Sequence, residues 1–355
     1  MESSVPGLVV LLGSGETLPS SGATHEYVAQ RLPTQPRIAI LETPAGFELN
    51  SERVAGRIQK FLAGRLQNYA PRIDLIAARR RGTPFSPDAP EVVAPLLQAD
   101  EILLGPGSPT YTARQLRDSL ALHFIRARHR LGATLFLASA ATLAFGSLTL
   151  PVYEIYKVGE DLHWKEGLRF FESFGWPLVI VPHWNNQDGG AELDTSRCFV
   201  GRPRFEALTE QLPTEISVVG IDEHTALVLD FSAESCLIFG RGVVTILRAG
   251  ATQTFAAGER VPFATLGNFR QPAPEEGIPP ALWHQAVAAQ MERNRQAAQR
   301  PQPGPDVLAL VAQRDADRAA GRWAEADTMR QAVEALGWRI QDTRSGPQLE
   351  PNGWG

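Results

Sequence analysis

The sequence predicts an α/β protein: a doubly wound, mostly parallel sheet with a late antiparallel extension, followed by a small helical unit. Three observations predict it. Short strand candidates that are apolar throughout alternate with helical patterns over the first half of the chain, as strands buried on both faces require. After about Val179 the pattern changes to closely spaced strands with turn residues between them. A Pro-rich stretch, Arg300-Pro301-Gln302-Pro303-Gly304-Pro305, then divides off the segment that begins at Asp306.

Taken in order, residues 7–12 read as a strand ending in Gly13-Ser14-Gly15-Glu16. Residues 24–32 read as a helix closed by Pro33, and residues 37–41 as a second strand. Val54, Ile58, Phe61 and Leu62 recur at helical spacing, with Asn50 or Ser51 available as a cap. Residues 73–76, 101–104 and 133–137 are further strands, and 116–131 is a helix. Ligands in such folds bind at the carboxyl ends of the strands, where the loops starting at Gly13, Thr43, Gly105 and Ser139 lie. The late strands, 217–219, 226–229, 236–239 and 243–247, suggest antiparallel hairpins that finish the same domain. The expected division is therefore an α/β domain over 1–270, a helix and linker over 271–305, and a separate unit over 306–355.

Bulk composition narrows the function classes. The chain has 355 residues, of which 43% are hydrophobic and 21% charged, enough for a sizeable core. A net charge of −5 offers no global attraction to nucleic acid or to acidic membranes. Cys198 and Cys236 are too few for a disulfide framework and read as buried small hydrophobes in a reducing, cytoplasmic setting. The N-terminal segment lacks a basic region and a long apolar run, so no signal peptide is expected. Nor does any stretch reach the roughly 20 apolar residues that span a bilayer.

Three segments carry candidate chemistry. In Leu135-Phe136-Leu137-Ala138-Ser139-Ala140-Ala141-Thr142 a buried strand runs through a small-residue turn into a helix. A serine there stands on a sharp turn with backbone N–H groups around it, although taken alone it is more plainly a helix cap. In Val181-Pro182-His183-Trp184-Asn185-Asn186 a histidine follows a buried strand into a polar loop, where it can serve as a base. In Gly220-Ile221-Asp222-Glu223 two adjacent carboxylates end a strand; they point to opposite faces, so one of them can orient the base. Serine, base and acid are the roles that activation of a hydroxyl needs. The Gly105-Pro106-Gly107 loop offers an oxyanion donor at Gly107, because Pro106 has no N–H, with the N–H of Ala140 as the second. That loop lacks the Lys-Ser/Thr of a phosphate-binding loop, and no paired His or Cys has metal-ligand spacing, so no cofactor or metal is expected.

The order of Gly13-Ser14-Gly15-Glu16, the Gly105 loop, the Ser139 turn, Pro182-His183 and Gly220-Ile221-Asp222-Glu223 resembles the dipeptidase E and cyanophycinase family of serine peptidases. That family has the class I glutamine amidotransferase-like fold, and the resemblance covers roughly residues 7–266. It implies Ser139 as nucleophile, His183 as base and Glu223 as acid. Two departures stand out: Leu137 and Ala141 occupy positions that are glycine in the family's turn. An elbow is tight, so Leu137 predicts weakened catalysis and gives a non-catalytic ligand-binding protein as the alternative. Pro182 before the histidine is closer to the dipeptidase E branch, which implies short peptides with an acidic N-terminal residue. Arg197, Arg202 and Arg204 follow the histidine and are the candidates to bind a carboxylate, a solvated basic face being the other reading.

The last segment resembles a different family. Arg314-Asp315-Ala316-Asp317-Arg318, then Ala326-Asp327-Thr328-Met329-Arg330 and Gln341-Asp342-Thr343, is similar to the C-terminal end of cysteinyl-tRNA synthetases. The synthetase catalytic motifs are absent, so aminoacylation is not expected. RNA contact through Arg314, Arg318, Arg322 and Arg330 is one reading, which would make the protein a tRNA-associated accessory factor. A docking or dimerisation module is the other.

Overall fold

The computed structural model describes residues 5–299, 301–343 and 346–352. The chain divides into two compact units, Met1–Leu66 with Pro71–Gln290, and Gln67–Ala70 with Met291–Gly355. The first is a mixed α/β unit. Five parallel strands, β1 (Val9–Leu12), β2 (Arg37–Leu41), β3 (Arg72–Ile76), β4 (Glu101–Leu104) and β5 (Thr134–Ala138), lie in the order β1-β5-β4-β2-β3. β5 is therefore held between β1 and β4, with Leu137 in register with both Leu11 and Leu104.

Both faces of this sheet are covered, which is why its strands are apolar throughout. Val9, Leu11, Ile102, Leu104, Leu135 and Leu137 face one core. Residues of α4 (Pro109–Leu116), α5 (Leu120–Arg130) and α6 (Ala140–Ala144) pack into it. Phe136 points the other way, where His25 of α1 (Gly22–Ala29) stacks on it at 4.4 Å. Phe61 of α2 (Ser51–Arg65) meets the edge of the same His25 ring. The short α3 (Pro90–Val93) lies between β3 and β4 in the chain, and a break that the apolar periodicity conceals separates α4 from α5. The helix expected over 116–131 begins only at Leu120, with Leu116 ending α4, because Asp118 takes a left-handed φ of 55° and the Ser119 hydroxyl caps α5 by accepting from Leu122 N.

After α6 come two short paired strands, β6 (Leu148–Thr149) and β7 (Lys165–Glu166), and then a second sheet. In it β8 (Leu178–Val181) runs parallel to β9 (Ser217–Ile221). α7 (Arg202–Thr209) lies between β8 and β9 in the chain. β10 (Thr225–Asp230) and β11 (Ser235–Gly240) form a hairpin that adds antiparallel strands to β1. β12 (Val243–Arg248) and β13 (Ala251–Ala256) form another, which joins β9, while β14 (Arg260–Pro262) closes the main sheet beside β11. The late strands thus divide between two sheets, which share one core: Ile180, Val219, Ile221 and Val244 pack with Leu135 and Leu137. The first half of α8 (Pro280–Ala298) adds Ala286 to that core. Among the described residues no helix is long and apolar enough to cross a membrane.

The second unit has α9 (Pro305–Ala319) and α10 (Trp323–Ala335), followed by a hairpin of β15 (Trp338–Thr343) and β16 (Gly346–Pro351). Val307, Val311, Val333, Trp338 and Ile340 form its core. The four arginines singled out for RNA contact all face carboxylates. Arg314 is buried against Asp315 and Asp342, Arg318 also pairs with Asp342, Arg322 with Asp317, and Arg330 with Glu334.

One buried group makes the first unit's stability depend on pH. Glu101 opens β4 fully buried, its Oε1 has no hydrogen-bond partner, and burial pushes its carboxyl up to about 8. A raised folded value means that the neutral form is the favoured one. Its contribution is complete below about pH 4.5 and is lost as the pH rises through about 8. Urea midpoints of the wild type should therefore fall relative to Glu101→Gln between pH 5 and pH 9. Parallel curves for the two proteins would show that the carboxyl is not held neutral.

Candidate active site

The site begins with the backbone of Ser139. β5 ends at Ala138, α6 begins at Ala140, and the residue between has φ 53° and ψ −115°. A non-glycine residue in this region is strained, and the strain persists only where the surroundings over-determine it. They do so here. Ser139 N donates to Leu12 O at 3.1 Å, Thr142 Oγ1 donates to the same carbonyl at 3.3 Å, and Leu143 N donates to Ser139 O. Leu137 is 0% exposed and Ala141 equally buried, both in the main core. The Leu137 side chain thus packs beneath the sheet, and the elbow forms with leucine where the resembled turn has glycine.

His183 follows β8 and also has a left-handed φ, 51°. Its Nε2 lies 3.0 Å from Ser139 Oγ and its Nδ1 2.8 Å from Glu223 Oε1. Glu223 sits on the short link from β9 to β10, and the histidine's hydrogen bond draws its carboxyl below the usual carboxylate range. Asp222 turns the other way: its Oδ2 accepts from Val243 N at 2.9 Å. The geometry therefore separates two carboxylates that adjacency in sequence left equivalent. Gly220 serves the same arrangement, since a Cβ there would fall 2.3 Å from the Trp184 ring that follows His183.

A cavity of about 480 Å³ opens over these groups. Gly107, Ser139, Ala140 and His183 line it, together with Tyr153, Tyr156, Lys157 and Asp188. Gly107 has a φ of 148° and stands so close to Pro44 that a Cβ would overlap its carbonyl oxygen. Among the described residues, neither the N–H of Gly107 nor that of Ala140 donates to a protein acceptor. Cys198 also lines the cavity, but burial holds its thiol far above the ordinary range.

The three arginines do not line this cavity. Arg197 lies in a run of left-handed residues, 197–199, which folds it back so that its guanidinium covers the Trp184 ring at 3.9 Å and donates to Trp184 O. Arg202 and Arg204 are exposed at the start of α7. The cation that does line the cavity, Lys157, was not singled out in the sequence. It rides on a π-helical turn, Glu154–Val158, pinned to the start of α4 by Thr110 Oγ1 donating to Glu154 at 2.7 Å. Asn186, buried and donating to Glu223 Oε1 at 3.0 Å, was visible only as loop polarity. Among the described residues no three His, Cys, Asp or Glu side chains converge as a metal site would need.

Comparison with known proteins adds two likenesses. No family model matches the chain. The crystal structure of a peptidase from an acI-B1 actinobacterium matches with a TM-score of 0.59 at 22% identity, over 74% of this chain and 98% of that one. The chain is similar in fold to a peptidase. A candidate peptidase E protein from Listeria monocytogenes EGD-e gives a TM-score of 0.41 at 14% identity, over 71% of this chain and 100% of that one. A 45-residue stretch is 42% identical to the cysteine–tRNA ligase of Chlamydia pneumoniae; it is 13% of this chain and spans about 10% of that protein's length.

The strain at Ser139 has a measurable signature. Glycine adopts its φ and ψ without a Cβ penalty, whereas alanine keeps the penalty. Ser139→Gly should therefore be more stable than Ser139→Ala by about 1 kcal/mol in chemical denaturation. Equal stabilities would mean that the turn carries no strain.

Proposed function

We propose that the protein is a serine hydrolase of the peptidase type that acts on small peptides or amides. The observation that carries the reading is the continuous relay Ser139 Oγ–His183 Nε2 at 3.0 Å and His183 Nδ1–Glu223 Oε1 at 2.8 Å, with Ser139 on a strained elbow. Ser139 Oγ attacks the substrate carbonyl as His183 Nε2 takes its proton. The oxyanion receives the N–H groups of Gly107 and Ala140. His183 returns the proton to the departing nitrogen as the C–N bond breaks. Water, deprotonated by the same nitrogen, then releases the acyl group and restores the serine. Glu223 holds the imidazole in the tautomer that leaves Nε2 free to accept.

Peptide substrates are supported by the fold likeness to a peptidase, and a small substrate by the cavity's volume of about 480 Å³. Lys157 takes over the carboxylate-binding role first sought in Arg197, Arg202 and Arg204, because it lines the cavity and they do not. The alternative is a non-catalytic binding protein in which Leu137 spoils the elbow; burial of Leu137 in the sheet core supports the hydrolase over it.

The direct test is a fluorophosphonate probe on the intact chain, read by mass spectrometry. Ser139 should be labelled, and labelling should vanish in Ser139→Ala and His183→Ala. A folded wild type that takes no label would overturn the reading. Glu223→Gln should slow labelling by about a hundredfold or more, because the wrong tautomer is then held, whereas Asp222→Asn should leave it within a few-fold. With peptides, Lys157→Met should raise KM for an acidic substrate by about tenfold with little change for a neutral one. Equal losses for both would remove Lys157 as the reader of the carboxylate.

A further inference from the structure

Glu223 is held less by packing than His183: its side chain is 27% exposed against 17%, so its direction depends on its hydrogen bonds. Besides His183, its Oε1 has one side-chain donor, Asn186 Nδ2 at 3.0 Å. Asn186 is 2% exposed, and its other amide atom is also engaged: Oδ1 accepts from Asp188 N at 3.1 Å. These two contacts fix the amide's orientation, since a carboxylate needs a donor and an N–H needs an acceptor. Asn186 N donates to His183 O at 3.2 Å, so the residue also braces the backbone of the histidine. Next to it, Asn185 Oδ1 accepts from Glu223 N at 2.8 Å. Asp188 is itself part of the cavity wall.

We propose that Asn186 is a positioning residue of the relay, which holds the Glu223 carboxylate on His183 and ties it to the cavity wall at Asp188. This rests on the hydrolase reading of the same site. The residue type matters. An aliphatic side chain leaves the carboxylate free to swing into solvent and Asp188 N–H without its acceptor. Aspartate keeps the shape and the acceptor, but it donates to Glu223 only while the two carboxyls share a proton. The titratable groups that face Glu223 are His183, His224, Asp222 and Cys198. None of them supplies a second donor to Oε1 among the described residues.

The experiment follows the rate of fluorophosphonate labelling against pH for the full chain, together with the low-field Nδ1 proton signal of His183 by NMR. In Asn186→Ala, labelling at neutral pH should fall about ten- to a hundredfold, the loss expected when a catalytic group is misplaced. The low-field proton signal should disappear. Asn186→Asp should turn a rising profile into a bell, because the shared proton is lost as pH increases. A fall in rate with the proton signal unchanged would mark a merely structural residue and overturn the proposal. So would an Asn186→Asp profile that follows the wild type. If the wild type takes no label but its proton signal is present and is lost in Asn186→Ala, the hydrolase reading fails while the positioning role stands.

Discussion

The backbone at Ser139 is held at φ 53° by a strand that has no freedom to relax: β5 is bonded to β1 on one side and β4 on the other, and Leu12 O takes a hydrogen bond from the serine's own N–H. Everything else in the site is arranged around that fixed point. The turn lifts the hydroxyl above the strand ends, starts α6 immediately behind it, and leaves the Ala140 N–H without an acceptor. A sheet with both faces covered makes this tolerable, because the cost of the strained residue is small beside the burial of Leu135, Phe136 and Leu137.

The remaining groups reach the serine from separate elements. His183 comes from the end of β8, Glu223 from the link between β9 and β10, and Gly107 from the loop after β4. Close backbone approach makes this convergence workable. Gly107 leaves room for Pro44, and Gly220 leaves room for the Trp184 ring. In both places the absent side chain decides how near a loop comes.

Much of this was legible in the sequence, and the failures have physical reasons. Apolar runs bounded by turn residues gave β1, β2, β4, β5 and β8, because burial on both faces leaves no polar alternation to confuse the reading. Ser139 and His183 stood out because each lies just past such a run, and the structure places their side chains 3.0 Å apart. The choice between Asp222 and Glu223 was not legible, since it depends on Val243 N, twenty-one positions away from Asp222 in the chain. The arginine cluster misled because nearness in sequence to His183 says nothing of direction, and the left-handed run at 197–199 turns Arg197 onto Trp184. Lys157 escaped notice because a π-helical turn has no simple periodicity. In the second unit Trp338 and Ile340 do alternate with polar residues, a strand pattern that the helical likeness of the segment overshadowed.

Glu223 stands on the strap of chain that leaves the smaller sheet at Ile221 and enters the larger one at Thr225. Ser139 belongs to the larger sheet and His183 to the smaller. The hydrogen bonds that join Ser139, His183 and Glu223 thus bridge two sheets, with the Glu223 carboxylate on the link between them. Sliding of one sheet against the other would lengthen these two hydrogen bonds before any strand lost its ladder. The spacing of Ser139, His183 and Glu223 therefore depends on how the two layers are aligned, so the site's geometry reports on that alignment.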